Sequence, residues 1–185
     1  MSSGSLRRNA IFLCAAILVL LPATLSSSLL AQQTPAFHGK KGRETGLPIP
    51  RFVSLKARQA RMRVGPSTEY ATKWIYLAPG LPFEILEEYG HWRQVRDYDG
   101  ISGWMSAALL SGQRTATVGP WLKEAVPLRD GPYPEAAIAA KLGPKVLLHI
   151  TSCTGKWCKV SVQKQSLAGY VRQDELWGAY PGEEI

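Results

Sequence analysis

The sequence predicts an all-β fold: two small β-barrels in tandem, behind a secretory signal peptide and a flexible basic arm. Three observations predict it. The 185-residue chain repeats itself: Arg63-Val64-Gly65-Pro66 returns as Arg129-Asp130-Gly131-Pro132, Gly90-His91-Trp92 as Gly155-Lys156-Trp157, and Gly103-Trp104 as Gly169-Tyr170, each 65 or 66 positions later. Ordered matches at one spacing mark two copies of one unit. Short runs rich in β-branched and aromatic residues alternate with Gly, Pro and Asp turn signals. Nowhere is there a long stretch of helical period.

Residues 1–31 have the three-part build of a signal peptide. Arg7 and Arg8 start it, Ala10 to Leu21 is apolar, and Pro22 leads into small and polar residues, with cleavage expected after Ala31. The apolar run is too short for a membrane span, which needs about twenty residues. Cys14 does not suit lipidation, because Leu13 before it is too large. Cleavage removes two of the 22 Lys and Arg and none of the 14 Asp and Glu, leaving a net charge of +6. The surplus is concentrated in Lys40, Lys41, Arg43, Arg51, Lys56, Arg58, Arg61 and Arg63, with Glu44 the only acid among them. In the cytosol such a strip would suggest nucleic acid. Outside it, the abundant polyanions are wall polymers and anionic lipids, so no nucleic-acid partner is expected.

Residues 32–50 are rich in Gly, Pro, Lys and Gln and read as a flexible arm. The first domain is placed at 51–117, with strands at Val53–Val64, Lys73–Leu77, Phe83–Glu88, Trp92–Tyr98 and Ser102–Met105. The second is placed at 118–180, with strands at Lys123–Leu128, Ile138–Leu142, Lys145–Thr151, Trp157–Gln163 and Gly169–Arg172. Thr115–Val118, at the end of the first domain, is a candidate strand shared with the second barrel. Units of about 60 residues are marginal and need large side chains in their cores. Trp92, Trp104, Trp157 and Tyr170 are therefore expected to fill them.

The repeated Gly-x-Trp reads as a two-residue hairpin with Gly at its first central position, as a type II′ turn requires. In the second copy this sets Thr154 opposite Trp157 and Cys153 opposite Cys158, close enough for a disulfide. An even cysteine pair in an exported chain fits that pairing. The bond is worth on the order of 2 kcal/mol by the chain-entropy argument. In the first copy the same frame sets Tyr89 opposite Trp92 and Glu88 opposite Arg93, so an exposed ion pair is expected where the second copy has its disulfide. His149 with Cys153 and Cys158 offers only three metal ligands, and structural zinc takes four. Neither metal nor cofactor is expected.

Arg-x-Gly-Pro-Ser, a Gly-x-Trp hairpin and Gly-Trp-Met/Val, in that order, resemble the bacterial SH3-like domains. Met62-Arg63-Val64-Gly65-Pro66-Ser67, Tyr89-Gly90-His91-Trp92-Arg93-Gln94-Val95 and Ser102-Gly103-Trp104-Met105 carry the resemblance in the first copy. Leu128-Arg129-Asp130-Gly131-Pro132-Tyr133 and Tyr170-Val171 carry a looser one in the second. The resemblance implies two SH3-like barrels covering nearly all of the mature chain. It also implies an exported module, without catalytic residues of its own, of a kind often attached to cell-wall hydrolases. Fold does not by itself settle function.

The sequence is thus read as a non-catalytic, periplasmic or secreted protein that engages peptidoglycan or another envelope component. The alternative reading is an assembly module recognising a peptide segment of an envelope protein. No Cys–His nucleophile pair or Gly-x-Ser-x-Gly elbow points to an enzyme. Asp97 and Asp99 are explained by a turn at Gly100. The groove residues proposed from sequence are Tyr70, Trp74, Tyr76 and Tyr98, with Tyr133 in the second copy, because aromatics offer flat apolar area at low entropic cost. If one copy alone binds, the sequence favours the first.

Overall fold

The computed structural model describes residues 39–162 and 165–185. The expected signal peptide, its cleavage site and the first part of the arm lie outside the described residues. The described chain opens with a small hairpin, β1 (Lys40–Lys41) and β2 (Pro48–Ile49), in which Lys40 pairs with Ile49.

The first copy comprises β3 (Arg51–Leu55), β4 (Ala60–Arg63), β5 (Thr72–Tyr76), β6 (Pro82–Tyr89), β7 (Trp92–Arg96), β8 (Ser102–Ser106) and β9 (Leu110–Ser111), with one 3₁₀ turn at Ala107–Leu109. The second comprises β10 (Thr115–Val118), β11 (Val126–Arg129), β12 (Ile138–Leu142), β13 (Leu147–Cys153), β14 (Trp157–Val162), β15 (Ala168–Arg172) and β16 (Leu176–Trp177), with a 3₁₀ turn at Gln173–Glu175. Each copy is one seven-stranded antiparallel sheet. The orders, β5-β4-β8-β7-β6-β3-β9 and β12-β11-β15-β14-β13-β10-β16, are the same topology twice. Even the irregularities repeat: the ladders shift register between Ile85 and Glu87 and, in the second copy, between Ile150 and Ser152.

Three expectations need correction. The sheets do not close into barrels: their orders are linear, with no ladder joining the end strands. β9 is two residues long and runs straight into the link at 112–114, so it has no backbone left to pair with β5. The expected strand Val53–Val64 is two strands, because the chain bends after Leu55. There the amides of Lys56 and Ala57 donate to the Leu109 carbonyl at 2.8 and 3.4 Å. Finally, Thr115–Val118 is the first strand of the second sheet, so the copies part at 112–114, earlier than residue 117.

The first core holds Leu55, Met62, Phe83, Ile85, Val95 and Met105; the second holds Val118, Leu128, Leu148, Ile150, Val160 and Val171. None of the six tryptophans is buried. Strand period explains why. In β7 the inward positions are Arg93 and Val95, and in β8 they are Gly103 and Met105, so Trp92 and Trp104 face outward. Gly103 is inward because β8 passes tightly over β4: a Cβ there would lie 2.7 Å from the Arg63 carbonyl oxygen. Gly169 meets Arg129 in the same way at 2.5 Å. The repeated arginine is a loop clamp. Arg63 donates to the Tyr70 carbonyl at 2.6 Å, and Arg129 donates to that of Ala136 at 2.7 Å.

The hairpin registers follow the sequence reading: Cys153 opposes Cys158, Glu88 opposes Arg93 and Tyr89 opposes Trp92. Gly90 and Gly155 take φ of +49° and +82°. The disulfide is formed across a Cα–Cα distance of 4.1 Å. The Glu88–Arg93 pair, however, is not an exposed one. Glu88 is 1% exposed. Its carboxylate lies 3.5 Å from Arg93 Nε, accepts from Arg51 at 2.7 Å, and accepts from the amides of Glu44 and Thr45 at 2.9 Å and the Thr45 hydroxyl at 2.8 Å. The arm is therefore folded from residue 40 onward and fastened to the first sheet. Burial pushes the Glu88 carboxyl up, but the Arg51 guanidinium, Thr45 and the amides outweigh it and hold the pKa at about 2.

The described residues belong to one compact unit, in which the two copies are in contact. Phe52 packs edge-on against Trp177 at 5.1 Å and tilted on Tyr180 at 4.6 Å. The Tyr180 hydroxyl donates to Glu84 at 2.9 Å, and Glu84 also pairs with Arg96. Burial and the Glu84 charge raise the Tyr180 phenol above its usual range.

Candidate functional site

The five groove residues proposed from sequence have different fates. Tyr76 turns into the core, 6% exposed, where its hydroxyl donates to Asp97 at 2.7 Å. Burial and that carboxylate raise its phenol pKa, and no ligand can stack on it. Tyr98 lies at the junction of the copies, with Lys145 Nζ 4.8 Å from its ring centre. Tyr70 and Trp74 are exposed, on the loop after Gly65 and on β5. Tyr133 is exposed in the second copy, against Gly131. Of the five, Tyr70, Trp74 and Tyr133 are thus exposed, on different copies, while Tyr76 is closed into the core and Tyr98 lies against Lys145.

The outward tryptophans create a different site. On the outer face of the first sheet, β4 presents Arg61 and Arg63, β8 presents Trp104 and Ser106, and β7 presents Trp92 and Gln94. Arg63 pairs in register with Trp104, Trp104 with Gln94, and Trp92 with Ser106. Tyr89 at the hairpin tip meets Trp104 edge-on, with ring centres 6.5 Å apart. A cleft of about 300 Å³ opens here, lined by Arg61, Arg63, Thr68, Trp92 and Ser106, and no acid lines it. Arg61 is exposed and has no acidic partner among the described residues.

This surface offers flat apolar rings beside a guanidinium free to take an anion. The same positions in the second copy hold Pro127 for Arg61, Thr154 for Tyr89 and Tyr170 for Trp104. Arg172 stands where Ser106 stands, and both of its bonds, at 3.0 and 2.7 Å, go to Asp174. A larger cleft of about 400 Å³ at the junction of the copies is lined by Ser54, Lys56, Gln113, Thr115 and His149, among others, and no aromatic side chain lines it apart from the His149 imidazole.

Sequence reasoning placed Arg61 in the basic strip and set Tyr89 opposite Trp92, but assigned Trp92 and Trp104 to the core and so did not join the four on one face. The available signal was Arg93, whose place in β7 alternates with Trp92. Recognising that Arg93 turns inward to Glu88 would have turned Trp92 outward. Among the described residues no group of three or more His, Cys, Asp or Glu could hold a metal ion. No helix among them is long and apolar enough to cross a membrane.

No curated protein matches the chain. Solved structures of NlpC2 and NlpC1 from Trichomonas vaginalis are similar to it over 69% and 73% of its length, at 13% and 12% identity and TM-scores of 0.32 and 0.31. The chain spans about half the length of each, 48% in both cases. The family model for the bacterial SH3 domain matches residues 56–112 and again residues 123–178. With more than half of its length matched, and one seven-stranded sheet under each match, the chain belongs to the bacterial SH3 domain family and carries two copies in tandem.

Proposed function

We propose that this is a non-catalytic binding protein, periplasmic or secreted, whose first copy engages peptidoglycan or another envelope polymer. The observation that carries the reading is the outer face built by Arg61, Trp92, Trp104 and Tyr89 in the first copy; the second keeps Trp157 and Tyr170 but has Pro127 and Thr154 in place of Arg61 and Tyr89. Aromatic faces suit sugar rings and peptide stems, and arginine suits the carboxylates or phosphates those polymers bear. The Cys153–Cys158 bond fits an oxidising compartment. The second copy, stapled and ion-paired at the equivalent face, serves as the supporting partner.

The test is retention of residues 32–185 on purified sacculi. Binding should weaken as salt rises, because an exposed guanidinium is screened. Replacing Arg61 and Trp92 together by alanine should reduce it at least about tenfold, the loss of roughly 1.4 kcal/mol or more. Failure to be retained even at low salt would sink the wall reading. Clearing of the sacculus suspension by the pure protein would sink the non-catalytic one.

A further inference from the structure

The first copy ends its sheet on β5, which pairs only with β4 and leaves its other edge open among the described residues. Around this edge Val64, Tyr70, Trp74, Ile75 and Leu77 are each 46–70% exposed. At the equivalent positions the second copy has Asp130, Ala136, Ala140, Lys141 and Gly143. The equivalence is structural for β5, since Met62 pairs with Trp74 as Leu128 pairs with Ala140, and Arg61 with Ile75 as Pro127 with Lys141. Open strand edges are templates for further strands, and proteins usually blunt them with charge or small residues. β12 is blunted in that way by Ala139, Ala140 and Lys141, although Ile138 at its start is 51% exposed. β5 is not: its one lysine, Lys73, is drawn back by a 2.9 Å bond from Nζ to the Ser102 carbonyl. Trp74 and Ile75 are neighbours in one strand, so they point to opposite faces and would flank an added strand on both sides.

The charge around the edge indicates the occupant. Glu69 is the only acid between Lys56 and Phe83, a stretch that also holds Arg58, Arg61, Arg63 and Lys73. Arg61 sits directly opposite Ile75. A second copy of this chain, paired edge to edge, would set these cations against one another. We infer that the β5 edge takes an extended segment of another protein by strand addition, one that alternates apolar with acidic residues. This edge borders the proposed polymer-binding face at Arg61, which stands opposite Ile75, but the open backbone ladder of β5 is no part of that face.

The experiment measures binding of residues 32–185 to blocked nonapeptides by titration, with tryptophan fluorescence as a second readout. A valine–glutamate alternating peptide should bind. Its valine–lysine counterpart, and a valine–glutamate peptide N-methylated on alternate residues, should each bind at least about tenfold more weakly, since one loses the charge match and the other the ladder. The triple variant W74A/I75K/L77G carries the second copy's residues and should lose binding equally, while W74A/L77G, which leaves Ile75 beside Arg61 in place, should weaken peptide binding and keep its sacculus retention. The single variant I75K, a surface change, repeats the test if the triple variant is poorly folded. The inference is overturned by no binding of the glutamate peptide at millimolar concentration, or by equal binding of either control peptide. It is also overturned if the protein sediments as a dimer that I75K dissociates.

Discussion

At the tip of the long hairpin, the first copy sets Glu88 opposite Arg93 and the second sets Cys153 opposite Cys158. Both tips serve as anchor points for the chain that flanks them. In the first copy Glu88 gathers the 42–47 turn, with Gly42 packed so closely that a Cβ would meet the carboxyl at 2.5 Å. In the second, residues 184–185 pair with Thr154 and Cys153 through the backbone, the Cys153–Ile185 bonds being 3.1 Å in both directions. The arginines that open each copy follow suit: Arg51 at the start of β3 holds Glu88, and Arg114 just before β10 holds Glu183 with two bonds of 2.8 and 2.9 Å. One frame thus accepts either an ionic or a covalent fastening at the same place. The two differ in what disturbs them, acid for one and reductant for the other.

The largest effect should come from Glu88→Gln. It leaves Arg51 and Arg93 without their countercharge, and breaking a buried pair costs about 3–5 kcal/mol. Urea unfolding should show that loss, and the 40–50 hairpin should become protease-sensitive. A loss below about 1 kcal/mol would mean the hub is replaceable. Next comes acid. The Glu88 pKa is depressed in the folded protein, so its stabilisation is full above the unfolded value of about 4.5 and is lost as pH falls toward about 2. The amount is about 3 kcal/mol, at 1.36 kcal/mol per pH unit. Unfolding curves of the wild type and Glu88→Gln should therefore converge between pH 4.5 and 2, while curves of a disulfide variant should stay parallel to wild type.

Third, replacing Cys153 and Cys158 by serine should cost on the order of 2 kcal/mol and leave the outer face of the first copy intact. The smallest effect concerns Lys145, the only non-glycine with positive φ (65°) among the described residues, standing where the first copy has Gly80. Its Nζ pairs with Asp99 across the junction at 3.1 Å. Lys145→Gly should leave overall stability nearly unchanged, because backbone relief offsets the loss of an exposed pair. It should shift the NMR signals of Tyr98 and Asp99. Unmoved signals would show that the contact has no role at the junction.

What could be read in advance was local. Hairpin registers, the disulfide, the Gly100 turn and the tandem unit each depend on residues a few positions apart or on direct repetition. What could not be read depends on distant partners. Glu88 is buried because of Thr45, 43 residues away, and Arg114 is held by Glu183, 69 residues away. The side on which Trp92 lies depends on the same distant partners: Glu88, buried by the 42–47 turn, draws Arg93 inward and so turns Trp92 outward. Tyr76 and Tyr98 were chosen as aromatics near a loop, yet a buried Asp97 claims the first and Lys145 of the other copy claims the second.

The asymmetry of the outer faces can be tested by exchange. Retention on sacculi should be measured side by side for Arg61→Pro/Tyr89→Thr, which gives the first copy the second copy's residues, and for Trp157→Ala in the second copy, each shown to be folded by its melting curve. The first variant should lose at least about tenfold in retention and the second should bind as the wild type does. Equal losses in both, or a loss confined to Trp157→Ala, would contradict the assignment of binding to the first copy.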